Sequence, residues 1–213
     1  KVGSHLDYDE YHRKIDQGAV VIDMRNQYEG EVGRFKNAII PDVDRSEELL
    51  PTVKELLKGR EDDTVLMYCT GGIRCEKASA FLKYKGYNNV FQLKGGIIEY
   101  TNQVKKEGIE NKFIGKNFVF DQRKSERISQ DIISKCHQCG EKSDFHTNCA
   151  NEACHLLFIQ CERCATKMKN CCSNECIKII SLSDQERKEL RKGKKNSNKI
   201  FKKGRSPFLK FKH

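Results

Sequence analysis

Nine of the chain's eleven cysteines fall between residues 136 and 176, and eight of them come in pairs. The pairs are Cys136-x2-Cys139, Cys149-x4-Cys154, Cys161-x2-Cys164 and Cys172-x3-Cys176, with Cys171 as a ninth candidate. Two thiolates a few residues apart in a turn reach one tetrahedral ion, so four pairs supply two such sites. Zinc is the expected metal; an iron–sulfur cluster is the alternative that four thiolates would also fit. Spacing leaves the pairing open. Sequential use joins Cys136, Cys139, Cys149 and Cys154, then Cys161, Cys164, Cys172 and Cys176, whereas interleaved use exchanges partners. His137, His146 and His155 stand nearby as substitute ligands. The block holds few apolar residues, so bound metal is expected to supply much of its folding energy.

The rest of the composition narrows the class. The 213 residues suffice for one core of ordinary size and a small accessory module. No stretch approaches the roughly 18 apolar residues of a membrane span. The first residues, KVGSHLDYDEYHRK, lack the apolar segment of a secretory signal. Crowded cysteines without such a signal favour a reducing compartment, and a cytoplasmic location, over a disulfide framework. The chain starts on Lys1, and a further domain ahead of it is expected. Charge is concentrated at the other end. Residues 187–213 carry twelve Lys and Arg against one Glu, a net +11 in a chain of +10. Everything before them therefore sums to −1.

Residues 1–115 alternate between short apolar runs and amphipathic segments. AVVID, TVLMYC and NVFQLKGG read as buried strands. LDYDEYHRKIDQG, SEELLPTVKELLKG (with Ser46 as its cap), EKASAFLKYKGY and IIEYTNQVKKEG read as helices. Such alternation implies an α/β fold, a parallel sheet flanked by helices. Residues 116–135 read as a connector with a short strand. Residues 136–180 form the cysteine-rich module, and 181–213 a basic, flexible tail. In that tail Lys194, Lys195, Lys202, Lys203 and Arg205 are the candidate RNA contacts. They are interleaved with Phe201, Phe208 and Phe211, so that cations meet phosphates while rings stack on bases.

Ligands gather at the carboxyl ends of parallel strands, and Cys69 ends the strand TVLMYC. After it the chain turns through Thr70, Gly71, Gly72 and Ile73 into a helix near Arg74. Two glycines permit a curl whose N–H groups converge, and such a nest at a helix N-terminus binds anions. A thiol within it shifts towards thiolate, the nucleophilic form. Cys69 is the candidate nucleophile, with Thr70, Gly71, Gly72, Ile73 and Arg74 as an anion cradle. Cys75 is expected mainly to pack, and Asp23 and Arg25 to be structural.

These motifs carry a resemblance. VIDMRNQYEGEVGRFKNAI (21–39), YCTGGIRCEKASAFLKYKGY (68–87) and VFQLKGGIIEY (90–100) are similar to the rhodanese domain. The resemblance implies that Cys69 is a persulfide-type nucleophile. The related dual-specificity phosphatases have one more residue between cysteine and arginine, so this tighter ring suits a single small anionic group rather than phosphate. Gly33-Arg34-Phe35 stands where many rhodaneses carry Gly-His-Ile. Extended through NFVFDQRKSERIS, CHQCG, HTNCANEACHLLFIQC, CCSNEC and NSNKIFKKGR, the chain resembles the bacterial tRNA uridine(34) hydroxylase family. That implies a cytoplasmic, tRNA-binding oxidoreductase making 5-hydroxyuridine with molecular oxygen as co-substrate and Cys69 as its essential thiol. It also implies a ferredoxin-like domain ahead of Lys1. Plain sulfurtransfer and a non-catalytic RNA-binding scaffold are the alternatives.

Overall fold

The computed structural model describes residues 2–120, 125–192 and 209–211. The chain divides into two compact units, Lys1–Asp131 and Ile132–His213.

The first unit begins with β1 (Ser4–Leu6) and α1 (Tyr8–Asp16), followed by β2 (Val20–Asp23), α2 (Gln27–Glu31) and β3 (Gly33–Phe35). It continues through α3 (Ser46–Leu56), β4 (Val65–Tyr68), α4 (Ile73–Tyr84), β5 (Val90–Leu93) and α5 (Gly96–Glu107) to β6 (Phe113–Phe118) and β7 (Ser125–Arg127). Four strands pair in parallel in the order β1-β5-β4-β2. Helices cover both faces, which is why the central strands β2 and β4 are buried along their whole length rather than alternating. Val20, Ile22, Val65 and Met67 pack with Leu49 and Val53 of α3 and Ala78 and Leu82 of α4. Val21, Leu66 and Tyr68 point the other way, towards Tyr11 of α1 and Ile97, Tyr100 and Val104 of α5.

Three expectations are corrected here. Ser46 is the first helical residue of α3, not its cap; Arg45 occupies the cap position without a side-chain bond. Ser4–Leu6, too short and polar to stand out, adds an edge strand beside β5. Where 116–135 was expected to be a connector with a short strand, β7 and the end of β6 lie in it and join β3 in a second sheet of order β3-β6-β7. Gly33 faces Lys116 so closely that an added Cβ would lie 2.0 Å from the Lys116 carbonyl oxygen. Only glycine permits that approach.

The two sheets meet around a buried ion pair. The Arg25 guanidinium donates from Nε and Nη2 to Asp23, at 2.8 and 2.6 Å. It also donates to the Gly33 carbonyl at 2.6 Å and to Asn117 Oδ1 at 3.3 Å, joining β2, β3 and β6. Burial pushes the Tyr68 phenol well above its ordinary range, so its hydroxyl stays protonated and donates to Asp23 at 2.8 Å. Phe35, the departure from the commoner isoleucine, fills an aromatic cluster with Tyr11, Tyr68, Tyr100 and Phe113.

The second unit holds β8 (His146–Asn148) and β9 (Leu157–Ile159) as an antiparallel pair, then α6 (Glu162–Lys167), α7 (Asn174–Ile180) and α8 (Asp184–Arg191). Helix α8 lies inside the stretch expected to be flexible. Ser183 and Glu186 form a capping box that fixes its start, and Arg187 pairs with Asp184. Farther along, Leu209 is buried among Leu156, Phe158 and the cysteines. The Phe211 amide donates to the His137 carbonyl at 3.1 Å. Within 181–213, Asp184–Arg191 is thus structured by a local cap and Leu209 by apolar burial.

Removing the Arg25 side chain would leave Asp23 charged, fully buried and half-satisfied. Arg25→Ala is expected to lower unfolding free energy by about 3–5 kcal/mol, read from urea denaturation. A change under about 1 kcal/mol would contradict the role assigned to this pair.

Candidate active site and metal centres

Cys69 follows β4 directly, and Tyr68 anchors that strand end through Asp23. Gly72 takes a φ of +91°, a left-handed conformation that glycine adopts without strain, and it caps α4. Its amide turns inward and donates to Cys69 Sγ at 3.1 Å. The neighbouring Cys75 thiol, then the backbone of Cys75, the positive charge of Arg74 and the Arg74 backbone favour the ionised form of the same sulfur. Against the opposing pull of burial, these contacts hold the Cys69 thiol down at about 6. Burial and the neighbouring Cys69 sulfur push Cys75 well above its ordinary range, so it remains a thiol and a donor.

Cys69 is only 1% exposed. The rim itself is open: Ile73 is 85% exposed and a side chain at Gly71 would meet nothing within 4 Å.

Arg74 does not project freely into the cradle. Both of its terminal nitrogens bind Glu29, at 2.8 and 2.9 Å, and one also reaches Thr70 Oγ1 at 3.2 Å. Glu29 is fully buried and accepts from the Asn26 amide at 3.0 Å. Sequence reading recorded Glu29 only as part of a motif; its role as the buried anchor of Arg74 depends on a pairing across 45 residues. Gly95 and Gly96 brace the loop from the opposite side. The Ile97 and Ile98 amides donate to the carbonyls of Cys69 and Thr70 at 3.0 and 3.1 Å. A Cβ on Gly96 would lie 2.5 Å from the Cys69 carbonyl oxygen and 2.8 Å from the Gly72 nitrogen.

In the second unit the cysteines form two four-sulfur sets. Cys136, Cys139, Cys161 and Cys164 make one; Cys149, Cys154, Cys172 and Cys176 make the other. The interleaved pairing is the one the fold adopts. All four sulfurs of each set lie within 4.8 Å of one another, and either set can hold a metal ion. The sets comprise cysteines alone; His137, His146 and His155 are outside both. Cys171 is also outside, buried beside the second set, and its carbonyl accepts from Gln138 at 3.0 Å. All eleven cysteines are free of disulfides. Lys194, Lys195, Lys202, Lys203 and Arg205, the candidate RNA contacts, lie outside the described residues.

A depressed thiol has a definite pH signature. Its thiolate contribution to folding is complete above the ordinary thiol value of 9.0 and is lost as pH falls through about 6. The difference in 240 nm absorbance between the wild type and Cys69→Ala is therefore expected to titrate with a midpoint near 6. Gly96→Ala, which would push the loop off the sulfur, is expected to move that midpoint upward. A wild-type midpoint above about 8 would contradict the cradle.

Comparison with known proteins places these features. Residues 7–103 match the Rhodanese-like domain and residues 114–177 the Rhodanase C-terminal region. Over 205 residues and 96% of its length, the chain is 52% identical to a protein named tRNA uridine(34) hydroxylase from Leptospira interrogans, and 51% identical to one of the same name from Enterobacter sp.. A third, from Photorhabdus laumondii, is 50% identical over 206 residues. The chain spans 56%, 59% and 58% of the length of these relatives, respectively. No described helix is long and apolar enough to cross a membrane. Along nearly all of its own length, the chain is thus similar to curated proteins named tRNA uridine(34) hydroxylase.

Proposed function

We propose that this chain carries the thiol unit and the metal-binding unit of a cytoplasmic tRNA-modifying oxidoreductase that hydroxylates wobble uridine 34 to 5-hydroxyuridine, with molecular oxygen as co-substrate. The observation that carries the reading is the Cys69 sulfur, favoured as a thiolate by the Cys75 thiol and the Gly72 amide in a loop of only four residues between Cys69 and Arg74. In this reading Cys69 is the catalytic residue. Thr70, Gly71, Gly72, Ile73 and Arg74 form its cradle, Cys75 is a donor to the sulfur, and Glu29 positions Arg74. A sulfur bearing one oxygen, a sulfenate, suits this ring. The near-complete burial of Cys69 favours that species over direct attack of Cys69 on a uracil ring, which would need the site to open. Making it from dioxygen consumes two electrons from the sulfur and two more from an external reductant, with the second oxygen leaving as water.

The donor sets favour zinc. Tetrahedral coordination at a Zn–S distance of about 2.3 Å places sulfurs about 3.8 Å apart. The sulfurs lie 3.6 Å apart for Cys139–Cys161 and Cys154–Cys172 and 3.8 Å apart for Cys172–Cys176. A four-iron cluster gives each thiolate its own iron and spreads the sulfurs farther. Zinc has no redox chemistry, so its role here is to staple the fold.

The burial of Cys69 favours one competing reading, a non-catalytic scaffold. Replacing Cys69 by Ser in the full-length protein, in cells lacking the native copy, distinguishes them. Loss of 5-hydroxyuridine by nucleoside mass spectrometry, with tRNA binding retained, is expected; persistent modification would support the scaffold. Thiosulfate–cyanide turnover at an appreciable rate would instead indicate a sulfurtransferase. For the metal, elemental analysis is expected to find zinc at one ion per four-sulfur set. Cys154→Ala should lose the ion of its own set, and a chain purified with iron and no zinc would overturn the assignment.

A further inference from the structure

A cavity of about 520 Å³ opens in the second unit, lined by residues of both four-sulfur sets. Its volume falls in the range of roughly 300–1,000 Å³ typical of small-ligand sites. We infer that this cavity receives one unpaired nucleobase of the RNA, at a site separate from the thiol chemistry. The inference rests on RNA being the partner under the reading above.

The wall chemistry decides between a base and a phosphate. Cys139, Cys164 and Cys172 line the cavity, and four thiolates around one divalent ion leave each centre net negative. Glu175 adds another negative charge. A phosphate inside would be repelled. An uncharged, planar, hydrogen-bonding ring would not. Ser173 and Asn174 present a hydroxyl and an amide that suit base edges, and Gln138 keeps one free lone pair on Oε1. Gln138 is preset: its Nε2 donates to the carbonyls of Cys171 and Cys172 at 3.0 and 3.3 Å, and its Oε1 accepts from Gln160 at 2.8 Å. The thioether of Met168 supplies a polarisable apolar contact for the ring face.

Two cations complete the arrangement. Lys167 and Lys210 line the same cavity, and both residues are exposed to solvent. They can meet the phosphates flanking an inserted base while the base lies against the sulfur-rich wall. Lys210 also belongs to the strongly basic stretch 187–213, so the chain's excess positive charge includes this cavity's lining. Base insertion with phosphates at the rim is the general mode by which proteins read single-stranded RNA.

The methionines provide a direct test, because the chain has only three: Met24, Met67 and Met168. Met24 and Met67 are fully buried in the first unit, whereas Met168 lines the cavity. In the zinc-loaded chain with ¹³C-methyl methionine, hexauridylate is expected to shift the Met168 resonance saturably, with Met168→Leu providing the assignment. Inorganic phosphate at equal concentration is expected to leave it in place. Lys167→Ala and Lys210→Ala should each weaken hexauridylate binding about fivefold, and Cys69→Ser should not change it.

Hexauridylate binding without a Met168 shift would overturn the inference, as would no binding at all or an equal response to phosphate. The hydroxylase reading is scored separately, by nucleoside analysis of Cys69→Ser. A Met168 shift alongside persistent modification in that variant would keep the cavity and remove the catalytic role of Cys69.

Discussion

The ion pair of Asp23 and Arg25 is the constraint on which the first unit depends. Two opposite charges with no exposure must satisfy each other and their remaining hydrogen-bonding groups, or the cost is several kcal/mol per ion. Here the surplus groups are answered by Gly33, Asn117 and Tyr68, each from a different strand. The network therefore fixes where three strand ends stand, and one of them delivers Cys69. From that fixed point the loop has few choices. Gly72 turns left-handed, Gly96 comes close enough to accept no side chain, and the amides converge on the sulfur.

The same logic explains why the thiol is both ionised and hidden. A cradle large enough for phosphate would leave its cysteine open. A shorter one brings the Gly72 amide, the Cys75 thiol and the Arg74 charge to bear on a single sulfur, which is 1% exposed. Arg74 is tied down by buried Glu29, so its charge acts as a fixed background and leaves substrate recognition to other groups. The site is built to stabilise negative charge on one small atom.

Much of this was legible in the sequence because it is local. The strand–loop–helix around Cys69, the glycine pair in the loop and the four cysteine pairs are each contained in short windows whose spacing has a physical meaning. What was missed depends on distant partners. Glu29 meets Arg74 across 45 residues, and β6 becomes a sheet strand only because Gly33 lets it approach. The choice between sequential and interleaved cysteine sets likewise has no local signal. Helix α8 was missed for another reason: its charge suggested a solvated coil, while its Ser183–Glu186 box supplied an end-cap that charge counting does not weigh. The burial of Leu209 followed from tertiary packing, which a lone apolar residue in a basic stretch does not announce.

The interleaving of the two sulfur sets has a consequence for how the module assembles. Cys139 and Cys161, 22 positions apart, share one centre, and the loop between them contains Cys149 and Cys154 of the other. Cys154 and Cys172 span 18 positions and enclose Cys161 and Cys164 in turn. Closing either loop brings the remaining four thiols nearer together before any second ion arrives. The chain entropy that opposes the second closure has then already been spent in part on the first. A nascent module starved of metal would therefore sort into filled and empty molecules, with few caught halfway.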